Sequence, residues 1–80
     1  MNRTFYIHTD FLSVMIQNGF EWASTLYSNA EWDTTRCPLQ TSEYQAQGWR
    51  VVTLEEARET AEAIYDDAGY AFDPEVFEHT

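Results

Sequence analysis

The spacing of hydrophobic and polar positions changes along the chain, and with it the element predicted. Arg3 to His8 reads RTFYIH, rich in β-branched and aromatic residues, and predicts a first strand. Thr9 or Asp10 then offers an N-cap. From Phe11 onward, apolar residues recur at helical spacing as Phe11, Leu12, Met15 and Ile16. Asn18-Gly19 is a stop or a turn. Phe20, Ala23, Leu26 and Tyr27 keep the same period, which favours a helix over residues 11–27, broken at Gly19. The stretch FEWASTLYS can instead be a second helix or an outward strand. A glycine inside a helix costs about 1 kcal/mol relative to alanine, which a good apolar face can outweigh.

Residues 28–42, SNAEWDTTRCPLQTS, carry Pro38 and many turn formers and are expected to be irregular, anchored by Trp32, Cys37 and Leu39. Trp49 to Val52 predicts a strand, and Tyr44 to Gln47 another before a turn at Gly48. The clearest signal follows. Thr53-Leu54-Glu55-Glu56 is a capping box that opens a helix running to Asp67 or Ala68, with Gly69 just past its end. Leu54, Ala57, Ala61, Ile64, Tyr65 and Ala68 fall on one face, expected to pack inward. In the tail, Asp73-Pro74 can start a short helical turn, or Tyr70 to Phe72 can form an edge strand. The sum is a single α+β domain over residues 1–80: a small antiparallel sheet, an N-terminal helix broken at Gly19, and a capped C-terminal helix.

Eighty residues suffice for one domain with a thin stability margin. Three Trp, five Tyr and five Phe offset this, and they exceed what one small core needs, so some rings are expected at the surface. The net charge is −10, from 14 acids against 4 bases, all Arg. That balance argues against neutralising phosphates on a nucleic acid and against adhesion to anionic membranes, and it suits a basic protein partner. Cys37 is the lone cysteine, so no internal disulfide forms and a reducing compartment is expected. The N-terminus has no apolar h-region and no window approaches 18 apolar residues. The chain opens with Met and reads as a complete cytoplasmic product.

Charge is distributed unevenly. Residues 55–80 hold nine acids and one Arg, a net of −8, while residues 1–54 hold five acids and three Arg, a net of −2. On the capped helix, Glu55, Glu59, Glu62 and Asp66 fall in a narrow arc opposite the apolar face. Like charges at i,i+4 repel by a few tenths of a kcal/mol. Asp66 and Asp67 also sit at the negative end of the helix dipole. A solvated face is the bland explanation. A docking face for an Arg/Lys-rich surface is the functional one, with Glu55, Glu59, Glu62, Asp66, Asp67 and Asp73 supplying charge and Tyr70 and Phe72 the nearby aromatic anchors. Phe77, Trp22 and Trp32 are further rings, each expected in the core or as an anchor.

Catalytic signals are sparse. His8 and Asp10 would share a side of an extended first strand but lack an identifiable nucleophile; the competing expectation is that His8 ends a strand and Asp10 caps a helix. Cys37 lacks a visible base and is expected to be small and buried. Asp73, Glu75, Glu78 and His79 match no zinc or EF-hand spacing. The three glycines are isolated, so no phosphate loop exists and no cofactor is expected.

The acid-rich second half, the dense aromatics and the absence of lysine give the chain a general character that resembles the small acidic proteins of bacteriophages and mobile elements. Some of that broad group inhibit host defence machinery, among them anti-CRISPR proteins and DNA-mimic anti-restriction proteins. The resemblance implies a stoichiometric, non-catalytic inhibitor of a basic, nucleic-acid-binding host protein, acting in the host cytoplasm. It covers overall character only and carries no binding residue across. DNA mimics spread acids over most of their surface, whereas residues 1–54 are only mildly acidic, which points to a mixed polar and apolar interface. The alternatives are a structural or assembly protein that forms a homo-oligomer, and a small enzyme or metal protein using His8, Asp10 or Cys37.

Overall fold

The structure, a computed structural model, describes residues 3–78. Five strands, β1 (Arg3–His8), β2 (Val14–Asn18), β3 (Trp22–Leu26), β4 (Trp32–Arg36) and β5 (Trp49–Val52), form one sheet in the order β4-β3-β2-β1-β5. Every neighbouring pair is antiparallel. Strands β1 to β4 follow one another as a meander. Helix α1 (Thr41–Ala46) then carries the chain across one face of the sheet, placing β5 beside β1. Helix α2 (Leu54–Ala68) covers the opposite face, and α3 (Glu75–Glu78) is a single turn. This is the α+β class with an antiparallel sheet and a capped C-terminal helix that the sequence predicts.

The two faces explain the strand pattern. Ile7, Val14, Ile16 and Leu26 pack under Ala57, Ala61 and Ile64 of α2. Tyr6, Met15 and Ala23 point the other way, against Tyr44 of α1. Strand β2 is buried on both faces, so its apolar residues run continuously instead of alternating.

That run is why the helix expected over residues 11–27 is overturned. A helix buries one stripe, but Val14, Met15 and Ile16 are consumed by two opposite layers. Asn18-Gly19 closes the β2–β3 hairpin, with Gly19 at φ 55° and the Glu21 N–H bonded to the Asn18 carbonyl at 3.1 Å. Thr9 and Asp10 therefore cap no helix. The Thr9 N–H donates to the Gly48 carbonyl at 2.8 Å. Phe11 and Leu12 lie exposed in the β1–β2 connection.

Three smaller expectations also change. The irregular segment contains β4, because Glu31 and Cys37 bracket a regular ladder with β3. Tyr44 lies in a helix, not a strand; its ring meets Tyr6 edge-on at 5.5 Å, and its hydroxyl accepts the Leu39 N–H at 3.1 Å. In the tail the helical turn forms, with the Asp73 carboxylate accepting the Glu75 N–H at 3.0 Å, and Tyr70 to Phe72 is not a strand.

A polar network crosses the α1 side. The buried Tyr6 hydroxyl donates to Gln17 Oε1 and so accepts from Thr41 Oγ1 at 3.0 Å. Gln17 Nε2 in turn donates to the carbonyls of Gly19 and Leu39, at 2.8 and 3.1 Å. Buried polar groups are costly unless paired, and these pairings fix the path of the chain between β4 and α1.

Candidate functional site

Helix α2 is positioned by its ends and its alanines. Thr53 is extended (φ −77°, ψ 161°), and its Oγ1 accepts the Glu56 N–H at 3.2 Å. The reciprocal half of the capping box is not made. Instead the Glu56 carboxylate pairs with Arg50 Nη1 on β5 at 3.2 Å, stitching the helix start to the edge strand. At the other end, Gly69 adopts φ 83°, and the following Tyr70 N–H reaches the Tyr65 carbonyl at 2.9 Å. Ala57 and Ala61 are fully buried, which lets the helix sit close on the sheet. Leu54 departs from the predicted inner face and stays exposed at the first turn.

With that face inward, Glu55, Glu59, Glu62 and Asp66 all project into solvent. Their carboxylates make no ion pair or side-chain hydrogen bond with a described residue. Arg58, the one base on α2, is half-buried. The charge on this face is thus left uncompensated, at a cost in helix stability.

The structure brings part of the predicted set together. Glu59, Glu62 and Asp66 form one wall of an open groove of about 630 Å³, and Ala63, Tyr70, Ala71 and Phe72 complete it. Tyr70 stands at the rim with 64% of its surface exposed. Phe72 is half-buried, its ring 5.5 Å from Tyr65 and 6.1 Å from Phe77, so it supports the groove more than it projects from it. Glu55 lies further along the same helix face, outside the groove. Asp67 and Asp73 are exposed but do not line it. Phe77 belongs to the core, and Trp22 and Trp32 pack against it half-buried.

The other candidates do not assemble. His8 Nδ1 accepts the Asp10 backbone N–H at 3.0 Å, so Nε2 carries the proton and donates to the Gln47 carbonyl at 2.9 Å. Asp10 contributes its backbone and not its carboxylate. His8 is also packed edge-on against Trp49 at 4.9 Å. Both imidazole nitrogens are therefore spent on structure. Cys37 is exposed, not buried as expected, because it follows the last residue of β4 at φ 56° and turns the chain toward buried Pro38. Among the described residues no group of three or more His, Cys, Asp or Glu could hold a metal. His79, the remaining member of the acidic tail set, lies outside the described residues.

One surface was not anticipated. Phe11, Leu12 and Tyr27, each about half exposed or more, meet beside Asp10, Ser13 and Ser28 around an open cavity of about 490 Å³. The signal was the Asn18-Gly19 hairpin pair: a hairpin there brings the β1–β2 and β3–β4 connections to the same end of the sheet.

Among the described residues no helix is long and apolar enough to cross a membrane. No protein-family model, curated protein or solved structure matches the chain, so the reading of the acidic face rests on its own geometry.

Proposed function

We propose that the protein is a non-catalytic, protein-binding inhibitor or modulator that docks the outer face of α2 on a basic partner, such as the nucleic-acid-binding surface of a host protein, in the cytoplasm. The observation that carries this reading is the groove in which Glu59, Glu62 and Asp66 face exposed Tyr70. Carboxylates that form no ion pair with a described residue repel one another and gain from an Arg or Lys brought from outside. An exposed tyrosine beside them supplies flat apolar area with a polar tip, the type of side chain that anchors interfaces. Complementary charge would mainly raise the association rate, and the aromatic rim would slow dissociation.

The test is affinity capture from a bacterial lysate, with the eluate identified by mass spectrometry at two salt concentrations. Recovery of a basic nucleic-acid-binding protein that weakens as salt rises supports the reading. Recovery that is indifferent to salt, or limited to acidic proteins, contradicts it.

A further inference from the structure

The sheet ends on one side at β4, which pairs with β3 and, among the described residues, has no strand beyond it. The hydrogen-bond phase of this edge can be read from its flanks. The Tyr27 N–H donates to the Glu31 carbonyl at 3.0 Å, and the Cys37 N–H donates to the Glu21 carbonyl at 3.3 Å. In an antiparallel ladder such bonded positions recur every second residue. Asp33 and Thr35 therefore bond toward β3, and the N–H and C=O groups of Trp32, Thr34 and Arg36 point outward. Asp33 to Arg36 are all exposed. The opposite edge, β5, is shorter, with four residues, and by the same phase offers only Trp49 and Val51, because the Thr9 N–H bonds to the Gly48 carbonyl.

We propose that the β4 edge pairs with the β4 edge of a second copy of this chain, antiparallel and centred on Thr34. This register uses all three outward residues. It sets Arg36 of each copy opposite the half-buried Trp32 indole of the other, a cation against an aromatic ring on the same face of the sheet. It sets Asp33 opposite Thr35, so no like charges are directly opposed. The strand itself is formally neutral, Asp33 against Arg36, in a chain of net charge −10 whose acids are concentrated in residues 55–80. The edge also lacks the proline and lysine that commonly block strand addition. This surface is separate from the α2 groove, and the pairing does not rest on the docking reading. It has the opposite salt response: screening the self-repulsion of two acidic copies tightens the dimer.

The test is sedimentation velocity of the full chain over a concentration series, at low and moderate salt. The wild type is expected to show a concentration-dependent dimer that tightens with salt. Thr34→Pro removes an outward N–H and no backbone bond to β3, losing toward β3 the exposed hydrogen bond between the Thr34 and Ser24 hydroxyls at 2.7 Å, so it is expected to keep the monomer fold and weaken the dimer by about tenfold or more. Glu59→Gln with Glu62→Gln is expected to leave the dimer intact, which separates this edge from the acidic face. Should Thr34→Pro fail to fold, Arg36→Glu and amide exchange take its place: Arg36→Glu should dissociate the dimer, and the amides of Trp32, Thr34 and Arg36 should gain protection with concentration. A wild-type chain that stays monomeric up to its solubility limit overturns the proposal, including the case where only an extended partner segment binds this edge. So does a dimer that either substitution leaves unchanged, or a dimer in which those three amides gain no protection.

Discussion

The Trp32 indole N–H donates to the Tyr65 hydroxyl at 2.9 Å, joining edge strand β4 to α2 across 33 residues of sequence. Phe77 meets the same indole edge-on at 6.1 Å, and Phe72 sits edge-on to Tyr65 at 5.5 Å. One hydrogen bond and a set of rings thus connect the sheet, the helix and the tail that forms part of the groove. Tyr65→Phe keeps the rings and removes the acceptor. It is expected to cost about 1 kcal/mol in a urea titration and to change the tryptophan emission. An unchanged midpoint would show that the bond does not hold β4 to α2.

Gly48 and Gly69 both have positive φ, 99° and 83°, but their surroundings differ. A Cβ at Gly48 would meet His8 Cε1 at 2.8 Å, whereas at Gly69 nothing lies within 4 Å. Gly69→Ala should cost about 1 kcal/mol for backbone strain alone, and Gly48→Ala clearly more, because the His8 ring is pinned by hydrogen bonds at both nitrogens. Thermal unfolding of the two variants side by side checks the order; equal losses would mean that His8 yields freely.

Burial pushes the Tyr6 phenol pKa up; the hydrogen bond from Thr41 acts in the opposite sense, and Tyr44 adds to the rise. A folded pKa above the unfolded value means the contribution is fully present below about pH 10, the ordinary tyrosine value, and is lost as pH rises through the folded pKa. The urea midpoint is expected to fall over that alkaline range. Tyr6→Phe should remove part of the fall while lowering stability at neutral pH by about 1–3 kcal/mol, since Gln17 Oε1 loses its donor. An alkaline profile identical in the variant would assign the fall to other groups.

Some of this was legible in the sequence and some was not. Helix α2 was readable because its signals are local: Thr53 at the cap, Ala57, Ala61 and Ile64 on one stripe, Gly69 at the end. The acidic ridge came with it, since outward positions follow once the inward stripe is known. Residues 11–27 were misread because Phe11, Leu12, Met15 and Ile16 mimic helical spacing, while β2 takes its run from being buried on both faces, a property of the tertiary fold. The pair Asn18-Gly19 carried the correct answer and was outweighed by periodicity. Strand β4 was missed because its exposed residues, Asp33 to Arg36, lack an apolar alternation, and the ladder to β3 alone makes them a strand. The proximity of Tyr70 to Glu59 and Glu62 depends on the chain reversal after Gly69, which the helix end suggested but did not specify.

The central claim, that the outer face of α2 is a docking face, is tested most directly by the affinity of the captured partner for Glu59→Gln with Glu62→Gln, at low and moderate salt. The substitution relieves like-charge contacts at i,i+4 with Glu55 and Asp66, so the variant should melt no lower than the wild type. The claim predicts a folded variant whose binding is weakened by about tenfold or more at low salt and whose salt dependence is flatter. A folded variant with wild-type affinity at both salt concentrations would contradict it.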